Sequence, residues 1–244
     1  MSKRRILRLK GSDTHSFLQG LVTNDIDTLQ NGLVYTAMLT PQGKYIADFM
    51  LAQDGDDVLL DVAEDLADSL LKRLNMYRLR ADVTIEESGL NLQRGTGAAP
   101  DGALPDPRHP DMGWRAYSAG PAHEDTTDWD AIRVAHVIPQ SGIELTPDSF
   151  ILEYGFETLN GVDFRKGCYV GQEVTARMKH KTELRKGLRQ VSLSGPVPVG
   201  TEIVRNGKPV GTIYTQSGGR ALAYLRLDRV GDGMTAENET VQIT

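Results

Sequence analysis

From Arg185 onward the chain is written as a small closed sheet. Leu188 to Leu193, Glu202 to Arg205, Pro209 to Tyr214 and Ala221 to Leu227 are short runs rich in apolar and β-branched residues, the signal for strands. Gly195-Pro196, Asn206-Gly207 and Gly218-Gly219 separate them. Asn-Gly supplies both left-handed residues of a type I′ hairpin turn. Short strands at this spacing close into a small antiparallel barrel. Residues 185–244 are therefore expected to form a C-terminal β-barrel separate from 1–184.

The first 184 residues mix both periods and predict an α+β region. Ile6 to Leu9 is a strand, and Thr14 to about Leu21 a helix capped by Gly11-Ser12-Asp13. Leu33 to Leu39 and Lys44 to Ala52 read as a hairpin around Thr40-Pro41-Gln42-Gly43, where proline presets φ and glycine supplies a positive one. Tyr45, Ala47, Phe49 and Leu51 fall on one face of the return strand. Val58 to Val62 is a third strand. Asp61 and Glu64 have capping-box spacing before a helix that carries Leu66, Leu70, Leu74 and Tyr77 through Arg80. Val83 to Ile85 is a further strand. Glycine and proline dominate Gly95 to Gly113, which places a break between two subdomains near 95–125. Thr127-Asp128 caps a helix to about Val137, with Trp129, Ile132 and His136 on one face.

Charge and composition narrow the function. The net charge of −6 argues against general nucleic-acid binding. No apolar run of about 18 residues occurs, so no membrane span is expected. The basic start Met1-Ser2-Lys3-Arg4-Arg5 lacks a following apolar stretch and does not read as a signal peptide. One cysteine among 244 residues excludes a disulfide framework and suits a reducing, cytoplasmic setting. Histidines 15, 109, 123, 136 and 180 show no metal-ligand spacing, and no resident metal is expected.

The lone cysteine sits in Asp163-Phe164-Arg165-Lys166-Gly167-Cys168-Tyr169-Val170-Gly171-Gln172-Glu173. A thiol beside Arg165 and Lys166, just before a helix, is placed to be a stabilised, reactive thiolate; it can equally be a small buried apolar residue. Between Arg165 and Arg189 eight Lys and Arg face only Glu173 and Glu183. That island is either a solvated face or an anion site.

Lys166 to Glu173 resembles the K-G-C-[YF]-x-G-Q-E motif of the YgfZ-type folate-binding proteins, relatives of the glycine-cleavage T-protein (aminomethyltransferase). Asp13 to Asp25, Leu39-Thr40-Pro41-Gln42-Gly43-Lys44 and Asp106 to Arg115 also resemble that family's segments, so the likeness runs through most of the chain. It implies a T-protein/YgfZ-like fold followed by the barrel, and a factor that binds tetrahydrofolate or a one-carbon derivative. Such a factor supports maturation or repair of iron–sulfur enzymes, including some that modify transfer RNA. Its partners would be folate and iron–sulfur client enzymes or assembly proteins, with no membrane. Cys168 is the reactive thiol on this reading. Lys166, Gly167, Tyr169, Gly171, Gln172, Glu173, Arg177 and Asn24 are the folate-binding candidates, with Glu173 accepting from the pterin and the basic island holding the tail carboxylates.

Two other readings stand beside it. One is an aminomethyltransferase-like one-carbon transferase, whose chemistry needs an aspartate at a strand end; the matching region is Asp61 to Asp68, without the Asn and small residues expected before it. The other is a protein-interaction or RNA-binding module without folate. Whether the chain turns over a substrate is left open by the sequence.

Overall fold

The computed structural model describes residues 3–121, 125–181 and 184–244, with the side chain of Lys181 left out. His123 and Glu183, named above, lie outside the described residues. The chain forms two compact units. One comprises the described residues up to Thr127 together with Glu157–Val174; the other comprises Asp128–Phe156 and Thr175–Thr244. The barrel-bearing unit thus takes in 128–156 and the residues just after 174, which the sequence reading grouped with the N-terminal region.

The first unit is built on a five-stranded sheet. Its strands are β1 (Arg4–Lys10), β2 (Val34–Leu39), β3 (Tyr45–Asp54), β4 (Asp57–Ala63) and β5 (Thr84–Glu87), in the order β2-β3-β4-β1-β5. Helices α1 (Thr14–Gln19) and α2 (Glu64–Arg78) belong to the core on one face, where Leu18, Ala67, Leu70 and Leu74 join Leu7, Phe49, Leu51 and Leu60. The other face is covered too. Leu90, Leu92, Leu104 and Tyr117 pack on Ile6, Leu33, Ala52 and Leu59. This explains why β3 is buried on both sides, where the sequence predicted a single apolar face.

That second layer is a three-stranded sheet absent from the sequence reading. β6 (Asn91–Gly95), β7 (Leu104–Pro105) and β8 (Trp114–Ser118) pair in the order β6-β8-β7. It is anchored to the first sheet by charge. Asp61 of β4, fully buried, accepts from Arg115 Nη1 at 2.6 Å and Tyr117 OH at 3.1 Å, both of β8, and from Arg4 Nε at 2.6 Å. Asp106 accepts from Arg108 at 2.7 Å and Arg115 at 2.9 Å, which makes the 106–111 segment a structural corner. The capping-box expectation for Asp61 fails for the same reason. The cap residue of α2 is Ala63, with no side-chain cap bond, because Asp61 is spent on two arginines.

In the second unit, α3 (Trp129–His136) is capped by Asp128, which accepts from the Ala131 amide at 3.0 Å. Its buried residues are Trp129, Arg133 and Val134, in place of the Trp129, Ile132, His136 face expected. Arg133 is fully buried and donates to Glu144 at 2.7 Å and Thr215 at 3.0 Å. The barrel follows the helix α4 (Gln172–Lys181). Its strands are β9 (Lys186–Leu193), β10 (Glu202–Arg205), β11 (Lys208–Ser217), β12 (Arg220–Arg226), β13 (Met234–Ala236) and β14 (Glu239–Ile243), closed in the order β10-β11-β12-β9-β14-β13. Asn206 and Gly207 take φ of 50° and 70°, as their hairpin turn requires. Val191, Ile203, Ile213 and Leu225 fill the interior. The chain is thus α+β, with the closed C-terminal antiparallel barrel expected from its sequence.

Candidate functional site

The signature loop belongs wholly to the first unit up to Val174 and is held there by main-chain contacts. Thr23 Oγ1 donates to the Gly161 carbonyl at 2.7 Å, and the Asp163 amide donates to the Thr23 carbonyl at 3.1 Å. Lys166 then makes the decisive contact. Its Nζ donates to the carbonyls of Gln19 at 2.9 Å, Val22 at 2.6 Å and Asn24 at 2.8 Å, and lies 5.2 Å from the Tyr169 ring centroid. An ammonium has three donors, and all three are used. Burial lowers its pKa to about 8 against the pull of Asp25, Asp163 and Asp27.

Two glycines complete the seat. Gly171 has φ 88°, and a Cβ there would stand 2.7 Å from the Thr40 carbonyl oxygen. Gly43, φ 75°, would bring a Cβ to 2.8 Å from that of Val174. The hairpin turn at 40–43 and the loop before α4 thus approach backbone to backbone, which only glycine allows.

Cys168 is exposed, between buried Lys166 and buried Tyr169. Gly167 is also exposed, and among the described residues none beyond its chain neighbours lies within 4 Å of where its Cβ would be. The loop presents an approachable thiol on a fixed base. The neighbouring charges do not serve it as expected: Lys166 is committed to carbonyls, and the Arg165 side chain is 94% exposed, 3.7 Å from Asp163.

The other sequence candidates divide in two. Asn24 is structural. Its Nδ2 donates to the carbonyls of Tyr35 at 2.8 Å and Asn160 at 2.7 Å, and its Oδ1 accepts from the Asp25 amide at 2.9 Å. Lys166, Tyr169 and Gly171 likewise build the loop. Gln172 donates weakly to the Gly167 carbonyl at 3.4 Å. Glu173 is exposed in the first turn of α4, where the helix dipole favours a carboxylate. Arg177 falls in the second unit and is exposed.

One cluster was missed. Asp48, buried in β3, accepts from Tyr35 OH at 3.0 Å and Tyr45 OH at 2.6 Å. Burial and the Asp48 charge push the Tyr35 hydroxyl well above its usual range. The available signal was an aspartate at the centre of an otherwise apolar strand, a position packing alone does not ask for.

Residues 185–244 match the CAF17 C-terminal β-barrel domain family. Among solved structures the chain is similar to the glycine cleavage system aminomethyltransferase T from Bartonella henselae, with a TM-score of 0.77 over 99% of this chain and 82% of that one. At 12% identity this likeness concerns the fold alone. The iron–sulfur cluster assembly factor IBA57, mitochondrial, of Mus musculus is 28% identical over 99% of this chain and 81% of its own. The Homo sapiens protein of that name is 30% identical over 93% and 76%. The chain belongs to the IBA57 family of iron–sulfur cluster assembly factors. The YgfZ-type resemblance is carried at this coarser level, as an IBA57-like factor on the aminomethyltransferase T fold. The cytoplasmic expectation is overturned, because these IBA57 relatives are named mitochondrial.

Proposed function

We propose that this chain is an iron–sulfur cluster assembly factor that works through the thiol of Cys168 and takes tetrahydrofolate, or a one-carbon derivative, on its first unit. The observation that carries the reading is the exposed thiol on a loop locked from beneath by Lys166. A cluster draws on several thiolates. Cys168 supplies one, and an assembly protein or client enzyme supplies the others. The clients are iron–sulfur enzymes, those that modify transfer RNA included.

The folate half rests on the shared fold and on a reduced residue set. Glu173 and Gln172 have chemistry suited to the amino and N–H groups of a pterin. Asn24 and Lys166 do not fit the binding role, since their polar groups are spent on the main chain. When bound, tetrahydrofolate supplies a one-carbon carrier; the chain orients it and keeps a thiol accessible. Asp61 does not fit the aminomethyltransferase role, since both its oxygens are taken by Arg4, Arg115 and Tyr117.

Cys168→Ser tests this. It should leave the melting curve and the calorimetric heat of tetrahydrofolate binding unchanged while abolishing activation of a [4Fe–4S] client enzyme. Full client activation by the variant would remove the thiol from the mechanism. Absence of a binding heat in the unmodified chain would remove folate.

A further inference from the structure

The C-terminal end of α2 carries a feature that the function proposed above leaves unused. Past Leu74, its last buried position, Met76, Tyr77 and Leu79 are 66%, 37% and 87% exposed. Lys72, Arg73 and Arg80 are exposed around them. No acidic residue occurs between Asp68 and Asp82, although the chain as a whole is acidic. Leu79 also has φ 43°, a conformation that a non-glycine residue holds only when its surroundings impose it. Here Arg78 imposes it by donating to the Val83 carbonyl at 3.2 Å and accepting from the Ala81 amide at 2.8 Å. The turn therefore spends strain to hold a leucine in solvent, in a stretch whose exposed charges from Ser69 to Ala81 are all cationic.

We propose that, against the expectation of no membrane partner, this tip docks the chain on an anionic phospholipid surface. Leu79 and Met76 enter the acyl boundary, Tyr77 sits at the headgroups, and Lys72, Arg73 and Arg80 meet lipid phosphates. A protein partner fits the tip less well. Three projecting apolar side chains are too few for the core of a stable interface, which buries on the order of 800 Å² per partner. Stable membrane attachment instead asks for two modest signals together, an apolar insertion and a basic patch. Each cation near an anionic surface strengthens binding about fivefold.

Flotation of the full chain with vesicles tests the assignment. The chain should bind vesicles of equal parts phosphatidylcholine and phosphatidylglycerol at least about tenfold better than phosphatidylcholine alone. Arg73→Glu with Arg80→Glu should cost on the order of several hundredfold, and Met76→Ser with Leu79→Ser about a hundredfold or more, with unchanged melting curves. Leu79→Trp should show a blue-shifted emission on the anionic vesicles. Equal binding to both vesicles, no binding, or variants that bind like the parent would overturn it. So would a chain indifferent to vesicles whose variants lose a purified acidic protein partner, since the tip would then be a protein-docking site.

Discussion

Replacing Lys166 by methionine keeps the aliphatic stem and removes the donor. The carbonyl of Val22 is then left without its partner in a buried position, and those of Gln19 and Asn24 in partly buried ones. A buried orphan costs about 1–3 kcal/mol and a wetter one less. Removal of a dehydrated ammonium offsets part of this, for a net loss of about 3 kcal/mol, or roughly 6–12 °C in melting temperature. The pH dependence is the sharper test. With a folded pKa of about 8 against an ordinary 10.5, the unfolded chain holds more protons than the folded chain between those values. Stability therefore rises with pH across that window through Lys166. Urea titrations of parent and variant at pH 7, 9 and 11 measure it. The parent-minus-variant difference should grow by about 3 kcal/mol from the first to the last. A variant within about 1 kcal/mol of the parent at every pH would refute the idea that this lysine ties the loop to the 19–24 segment.

Gly171→Ala should destabilise by roughly 2–3 kcal/mol in urea unfolding, from the positive φ and the Thr40 carbonyl in its path. Asp106→Asn should cost about 3–5 kcal/mol by leaving Arg108 buried without its anion and Arg115 with Asp61 alone. Burial pulls the Asp106 carboxyl upward, but the charges of Arg108 and Arg115 outweigh it and hold it below its ordinary 3.8. Its contribution is thus complete above that value and disappears as pH falls through the lower folded pKa. An acid-unfolding curve for the variant should accordingly flatten below pH ~4 relative to the parent. Glu173→Ala should weaken tetrahydrofolate binding by about 1–3 kcal/mol in calorimetry and leave Cys168 alkylation by iodoacetamide unchanged.

What was legible in the sequence was what is decided locally. Pro41 and Gly43 marked their turn because φ preference is a property of the residue itself, and Asn206-Gly207 marked the barrel hairpin for the same reason. Asp61 was misread because a capping box is recognised over three residues, while its true partners Arg4 and Arg115 stand 57 and 54 positions away. The β6-β8-β7 sheet escapes the sequence because β6 and β8 flank, and β7 lies within, a stretch rich in glycine and proline, and its strands gain their stability from the apolar layer beneath. By sequence Lys166 reads as a charge awaiting an anion. Its partners are main-chain carbonyls, which every residue carries and no sequence pattern displays. Cys168 stood out by being alone, but its exposure depended on neighbours whose burial only the fold decides.

The chain leaves the first unit after Thr127 and returns to it at Glu157. Synthesis therefore delivers the five-stranded sheet well before the lysine that caps the carbonyls of Gln19, Val22 and Asn24. At cellular elongation speeds the interval is on the order of seconds, longer than a domain of this kind needs to collapse. During it those carbonyls can be satisfied only by water, and the surface that Gly43 offers to Val174 lies bare. A ribosome-bound chain halted before residue 157 should thus be loosely closed around the 19–25 segment and sensitive to protease there, and tighten only once the cysteine-bearing loop has emerged. The element that presents the thiol is also the last stitch in the unit that carries it.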